Sequence, residues 1–182
     1  MDVKTEATVE DLYRVHENGK AELVDGELVL MSPSGGLHGY AAGVIFASLR
    51  AHTLQNRIGY ALTDNVGFLV NLPRRKSFSP DAAYHVGPLT MKFIAGAPVF
   101  AVEVRSEGDY GPAAERAMAR KRSDYFAAGT LVVWDVDLLG DDVVRSYRSD
   151  DPANPAVFRR LESASAEPAV PGWSMPVDDL WP

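Results

Sequence analysis

Apolar and polar positions alternate with two different periods along the chain, and these periods predict where helices and strands lie. Apolar residues recur at three- and four-residue intervals from Leu37 to about Gln55 and again from Pro112 to Ala128, which predicts two helices. A shorter helix is predicted from Thr8 to Asn18-Gly19, because glycine favours a helix end. Only a minor part of the chain is therefore expected to be helical.

Six further segments of the chain are predicted to contain strands. Asp25-Gly26 separates two apolar runs within Ala21–Met31, which is typical of a hairpin, and a second hairpin is predicted from Tyr60 to Val70. Because strands, a helix and a further buried strand follow one another, we predict an α/β domain with a central mixed sheet flanked by helices. The remaining strands are predicted at residues 79–86, 98–105, 131–136 and 142–147.

The composition is typical of one globular domain. The chain has 182 residues, of which 46% are hydrophobic and 24% charged, so it can bury a full core. We predict a single domain over residues 1–182, with a core at about 8–148 and a C-terminal extension at 149–182 packed on that core. The absence of cysteine excludes disulfides, thiolate zinc sites and cysteine nucleophiles.

Charge narrows the choice of partners. The net charge of −7 disfavours binding of polyanions through bulk charge, so a nucleic acid would need a local basic patch or a metal-bridged phosphate. The first residues are polar, and the longest apolar run, Gly39–Leu49, is too short to span a bilayer. We therefore expect a soluble cytoplasmic protein that does not enter membranes.

A carboxylate interrupts one of the apolar strands. Glu103 lies within the predicted strand near Arg105 and shares one strand face with it. A buried carboxylate costs free energy unless it is paired or binds a cation. Two explanations stay open: an ion pair with an arginine inside the sheet, or a divalent-metal site that Glu103 shares with Asp81 of a neighbouring strand.

A lysine occupies the apolar stripe of the last predicted helix. Lys121 lies four residues after Ala117 and four before Tyr125. Lysine is uncommon on a buried face unless it is paired or functional, but its stem can also pack while the ammonium reaches water. Residue spacing alone leaves both explanations open.

These residues resemble a known signature. Pro80-Asp81 followed by Glu103-Val104-Arg105 is similar to the PD-(D/E)xK nuclease signature. A longer series of stretches resembles the Uma2 family of restriction-endonuclease-like proteins. The series comprises Ala21–Val29, Met31-Ser32-Pro33 with His38, Ser79-Pro80-Asp81, Val102–Ser106, Lys121 with Tyr125, and Ala128-Gly129-Thr130 leading into Val133–Asp137.

The resemblance implies a restriction-endonuclease-like fold and metal-dependent hydrolysis of DNA. Asp81 and Glu103 match the metal-ligand positions for Mg²⁺ or Mn²⁺. The carbonyl group of Val104 matches a further ligand, and Glu22 matches an acidic residue that could bind this metal or a second one.

The identity of the catalytic cation is left open by the resemblance. The third motif position, usually lysine, is Arg105 here, whereas Lys121 matches a lysine that has migrated to the following helix. Arginine stabilises phosphoryl charge but does not easily give up a proton. Many relatives carry an aspartate one turn before this lysine, where this chain has Ala117.

Phosphate contacts and oligomeric state follow as further expectations. His38 matches a family position near the site, and a homodimer is expected because many nucleases of this fold cut two strands with two subunits. Two alternatives remain: an inactive nuclease-fold protein that binds nucleic acid or a protein partner, and an ion-pair cluster without a ligand. The candidates for contacts with the DNA backbone are Arg74, Arg75, Lys76, Arg116, Arg120 and Arg122, together with His38.

Overall fold

The computed structural model describes residues 6–17 and 19–182, so Asn18, at the predicted end of the first helix, lies outside the described residues. The two long helices form close to their predicted bounds, and the first helix is shorter than predicted because a 3₁₀ turn continues it. None of the described helices is long and apolar enough to cross a membrane. The helices are α1 (Val9–Tyr13), α2 (Gly36–Asn56) and α3 (Pro112–Ala127), with 3₁₀ helices at Arg14–Glu17 and Val177–Leu180.

Thirteen strands lie in the described part of the chain and form four sheets. They are β1 (Lys20–Val24), β2 (Glu27–Met31), β3 (Tyr60–Thr63), β4 (Phe68–Leu69), β5 (Ser77–Phe78), β6 (Ala82–His85), β7 (Ile94–Ala95), β8 (Phe100–Val104), β9 (Val132–Val136), β10 (Val144–Arg148), β11 (Asp151–Phe158), β12 (Ser163–Ser165) and β13 (Ser174–Pro176).

The central sheet has six strands in the order β11-β10-β9-β8-β6-β3. β8 and β9 run parallel, and α3 is the crossover between them, whereas the other neighbouring strands run antiparallel. A parallel pair needs such a crossover because the chain must return to the same end of the sheet. The predicted α/β domain with a mixed sheet and flanking helices is confirmed.

Apolar side chains pack on both faces of this sheet. On one face α2 and the C-terminal segment cover the sheet, where Trp134 of β9 and Trp173 stack with ring centroids 5.1 Å apart. On the other face Phe78 of β5 and Tyr125 of α3 stack with ring centroids 3.9 Å apart. Alternation along β8 points Glu103 to this second face, on which α3 lies.

The second predicted hairpin is wrong. The Asp64-Asn65 turn forms, with Asn65 in the left-handed region at φ 67°, but β3 pairs with β6 of the central sheet. The chain then passes to the apolar cluster on the second face of the sheet, which we call the second core and which contains Phe68, Phe78 and Tyr125; there β4 pairs with β5 and β7. Local alternation predicts strands but not their partners, and here the buried β6 and the cluster around Phe68 determine the pairing.

The C-terminal segment contains a strand that the sequence pattern did not indicate. β11 carries Pro152 and Pro155 and pairs with β10 at the edge of the central sheet. Proline is tolerated there because the outer side of an edge strand makes no ladder hydrogen bonds. Further along the segment, Trp173 is buried and its Nε1 donates to Ser48 Oγ of α2 at 3.1 Å.

The first hairpin, β1–β2, is joined to the second core by residues 75–77, which form hydrogen bonds and a bridge with β1. Lys76 N donates to Leu23 O at 2.8 Å, Leu23 N donates to Ser77 Oγ at 2.8 Å, and Val24 forms a bridge with Arg75. These bonds fix β1 beside β5. Glu22, the residue before Leu23, is buried at this junction.

His85 gives the fold a pH dependence that can be measured. Its ring is 6% exposed, and neither ring nitrogen has a hydrogen-bond partner among the described residues. Burial lowers the pKa of His85 and outweighs the backbone of Pro88, which opposes this shift. Near and below the ordinary pKa of about 6.5, His85 binds protons more readily in the unfolded chain than in the folded chain, so its contribution to stability falls as pH falls.

We expect His85→Phe to reduce this loss of stability. The unfolding free energy should be compared by urea denaturation at pH 8 and at pH 5, with the pH 8 pair as the internal control for packing changes. The variant should gain stability relative to the native chain on going to pH 5. If the difference in unfolding free energy between the variant and the native chain is the same at pH 8 and at pH 5, His85 is not the source of the pH dependence.

Candidate functional site

A cleft of about 1440 Å³ opens beside the second core. The hairpin β1–β2, the start of α2, the ends of β6 and β8, and α3 surround it. The acidic residues predicted for the metal site and the lysine predicted to accompany them all line this cleft: Glu22, Asp81, Glu103 and Lys121.

Asp81 is fixed directly against β8. It lies just before β6 begins, and its backbone N–H donates to Val102 O at 2.9 Å. In return Val104 N donates to Asp81 Oδ2 at 2.8 Å. Because Glu103 stands between these two partners on β8, the strand pairing itself brings the two predicted acidic residues together.

Two side chains contact the Asp81 carboxylate. Lys20 Nζ lies 3.0 Å from Oδ1, and His38 Nε2, from the first turn of α2, lies 3.3 Å from Oδ2. Burial works against the charged form, but His38, Lys20 and the Val104 N–H outweigh it and lower the pKa of Asp81. The hydrogen bond to Asp81 in turn raises the pKa of His38.

Lys121 joins the other two carboxylates. Its Nζ lies 2.9 Å from Glu22 Oε1 and 2.8 Å from Glu103 Oε2, and Tyr125 Oη donates to Glu103 Oε1 at 2.6 Å. Burial disfavours the charged ammonium, but the two carboxylates outweigh that effect and raise the pKa of Lys121. The predicted inward position of Lys121 on α3 therefore places a charged ammonium between two acids.

Glu103 is the only one of these three carboxylates whose charged form is disfavoured by its surroundings. Burial raises its pKa, Lys121 opposes that shift, and the neighbouring charges of Asp81 and Glu22 add to it. For Glu22, burial is outweighed by Lys121 and by Arg75, whose Nη1 donates at 2.5 Å, so the pKa of Glu22 is lowered. Three acids that repel one another define a place where added positive charge is favourable.

Arg105, the other candidate for the catalytic cation, is bound elsewhere. Its Nε and Nη2 donate to the two carboxylate oxygens of Asp135 at 2.8 Å each, and Nη1 donates to Glu115. The side chain is 3% exposed. In the described part of the chain, the contact with Glu103 is made by Lys121.

The donor chemistry of the site suits a hard divalent cation. Mg²⁺ prefers oxygen ligands, keeps several waters and needs only one or two carboxylates. Asp81, Glu103 and the carbonyl group of Val104 are such donors, and the mutual repulsion of the acids favours a cation beside them. Among residues 6–17 and 19–182, no group of three or more histidine, cysteine or acidic side chains is placed to hold a metal.

The predicted phosphate-contacting residues fall into two groups. Arg75 is buried against Glu22 and Asp124, and Arg122 reaches Asp135 while lying 3.9 Å over the Tyr147 ring. Lys76 is partly buried and donates to Asn71 Oδ1 and Leu72 O, and His38 holds Asp81. The exposed members are Arg74, which forms a surface pair with Asp25, and Arg116 and Arg120 on α3.

Sequence reasoning missed several polar groups of the site. Lys20 could have been found, because it lies two residues before Glu22 on a strand and so shares its face. The Tyr125 hydroxyl group was not predicted as part of the site, because Tyr125 lies at an apolar position of the helix pattern. Asp135 interrupts a continuous apolar run as Glu103 does, and the register places it directly opposite Glu103.

Glu22 should carry much of the stability of this region. Glu22→Gln removes a charge that faces two buried cations, and breaking a buried pair from one side costs about 3 kcal/mol. We expect a loss of this size in urea denaturation. The control Asp25→Asn breaks the solvent-exposed pair with Arg74 and should cost far less. Equal losses in the two variants would contradict a buried role for Glu22.

The comparisons with known proteins agree with this architecture. A crystal structure titled "a putative nuclease belonging to DUF820", from Anabaena variabilis ATCC 29413, superposes with a TM-score of 0.71 at 16% identity, over 93% of this chain and 96% of that chain. At this identity the likeness shows the fold alone. A search of curated proteins finds no match. The model of the Uma2 family, described as "Putative restriction endonuclease", matches residues 7–178, and the chain belongs to this family.

Proposed function

We propose that this protein is a metal-dependent endonuclease that hydrolyses phosphodiester bonds of DNA. The observation that carries the proposal is the contact of one lysine, Lys121, with both Glu22 and Glu103, next to Asp81 on the adjoining strand. An acidic pair on neighbouring strands with a lysine beside it is the set that a PD-(D/E)xK site needs. Family membership supports a nuclease.

The acidic residues are assigned to the metal. Asp81 and Glu103 would hold Mg²⁺ or Mn²⁺ together with the carbonyl group of Val104, and Glu22 would bind the same ion or a second one. Such an ion would supply positive charge for the phosphoryl oxygens and increase the acidity of a water.

The chain's own residues orient the reactants. In the hydrolysis, a water oxygen forms a bond to phosphorus, the bond from phosphorus to the leaving oxygen breaks, and the proton that the water loses balances the one that the leaving oxygen gains. Lys121 is held charged by its two carboxylates, so it donates hydrogen bonds to the water or to a phosphoryl oxygen. Arg105 keeps the sheet and α3 together, through Asp135 and Glu115.

Contacts with the DNA backbone are assigned to the exposed basic residues. Arg74 lies at the rim of the cleft, and Arg116 and Arg120 lie on the exposed face of α3. Each can reach a phosphate without breaking a buried ion pair, unlike Arg75 and Arg122. The cytoplasmic location and the homodimer stay predictions from the sequence.

One observation favours the alternative of an inactive nuclease-fold protein that binds nucleic acid or a protein partner. Asp81 and Glu103 already have partners within the chain: Lys20 and His38 for the first, and Lys121 and Tyr125 for the second. A set that neutralises itself is stable without a ligand. Calorimetric titration with Mn²⁺ separates the two functions, because the nuclease requires binding that depends on Asp81.

Cleavage should depend on Glu103. Purified protein with Mg²⁺ or Mn²⁺ is expected to nick supercoiled plasmid, and Glu103→Ala should lower the rate by at least about 10²-fold, because it removes a ligand and the partner of Lys121. The measurement is the conversion of supercoiled to open-circle DNA over time. The matched control is Glu10→Ala, which changes an exposed residue of α1 outside the cleft.

Two results would refute the assignment. Nicking by Glu103→Ala at the rate of the native chain would show that another site, or a contaminant, cuts the DNA. Metal-dependent cleavage that survives in Asp81→Ala would exclude the acidic pair as the metal site.

A further inference from the structure

Lys20 enters the cleft from the hairpin. It lies on β1 two residues before Glu22, so both side chains point from the same strand face towards the acidic residues. Its side chain is 14% exposed. A lysine so far buried on the lining of a cleft needs acceptors, and two are close by.

Those acceptors are of different kinds. Lys20 Nζ lies 2.6 Å from Asp64 Oδ1 and 3.0 Å from Asp81 Oδ1. Asp81 is a buried candidate ligand for the metal, whereas Asp64 lies at the turn after β3 and its side chain is 46% exposed. An ammonium has three N–H donors, so these two contacts leave one donor for a group that enters the cleft.

The other cations near the acidic residues are arranged differently. Arg75 and Arg105 are buried, and each guanidinium group forms ion pairs with two carboxylates. Lys20 and Lys121 also contact two carboxylates each, but their side chains are more exposed, at 14% and 20%, and they lie on either side of the acidic pair, one on Asp81 and one on Glu103. The cleft therefore presents two ammonium groups where a phosphate would approach.

We propose that Lys20 is a second lysine of the site that contacts the phosphoryl group to be cleaved, a role that rests on the proposed endonuclease function. Asp64 is its positioning residue, because it contacts the ammonium in addition to Asp81 and lies outside the acidic pair. If Asp81 held a divalent ion, Asp64 would still contact Lys20, and the ammonium would donate to a non-bridging phosphoryl oxygen. Its charge there stabilises the negative charge that develops during hydrolysis.

The test compares Lys20→Met with Lys20→Arg, Asp64→Asn and the control Lys92→Met. Lys92 is exposed and lies outside the cleft. Lys20→Met should lower kcat by about 10²-fold with a smaller change in KM, since the contact strengthens in the transition state. Lys20→Arg should retain part of the rate, and Asp64→Asn should lower it by less than Lys20→Met.

A second measurement separates this role from a structural one. Mn²⁺ binding by calorimetry should be unchanged or tighter in Lys20→Met, because the ammonium competes for Asp81. A merely structural lysine would instead weaken Mn²⁺ binding together with the rate. Cleavage by Lys20→Met at the native rate, or a parallel loss of rate and Mn²⁺ affinity, would overturn the proposal.

The experiment also distinguishes failure of the wider function. If the native chain does not cut DNA, the endonuclease proposal fails, and the contact of Lys20 is decided by binding of a fluorescent duplex oligonucleotide. Weaker binding by Lys20→Met than by Lys92→Met then supports a phosphate contact without catalysis. Equal binding by the two variants refutes the contact as well.

Discussion

The Lys121 ammonium between Glu22 and Glu103 is the interaction on which the rest of the structure depends. It joins three elements that are distant in sequence: the first hairpin, the central sheet and α3. A buried carboxylate without a partner costs several kcal/mol, so neither acid could stay in the interior alone. The cation lets β1, β8 and α3 meet at one place, and the cleft is the space that this meeting leaves open.

The same arrangement explains two properties of the site: its ion pairs are stable without a ligand, and its buried acids favour the approach of further positive charge. The charges are balanced by side chains of the chain, yet the pKa of Glu103 stays raised because burial and its acidic neighbours outweigh Lys121. A site of this kind holds itself together without a metal and still gains from added positive charge. Stability and function therefore draw on the same ion pairs, and substitutions there are expected to affect both.

Much of the fold and the acidic pair could be predicted from the sequence, because both follow from local patterns. A carboxylate at Glu103 within an apolar strand requires a partner, and the helical spacing of Lys121 places it on the inward face. The pairing of β3 with β6 could not be predicted, because it depends on contacts distant in sequence. The proline-containing β11 was missed since its composition is typical of a loop, although an edge position tolerates proline.

The choice between Arg105 and Lys121 shows where local patterns end. Both residues were candidates for a contact with Glu103, and the register determines their partners: β9 places Asp135 opposite Glu103, where Asp135 accepts a bidentate pair from Arg105. Arg105 also reaches Glu115 in the first turn of α3, which ties the start of that helix to the sheet. Lys121 reaches the two acids from a helix, so these contacts require that α3 is fixed against the sheet. Arg105 thus supports the position of Lys121, because its pairs with Asp135 and Glu115 tie to the sheet the helix from which Lys121 spans Glu22 and Glu103.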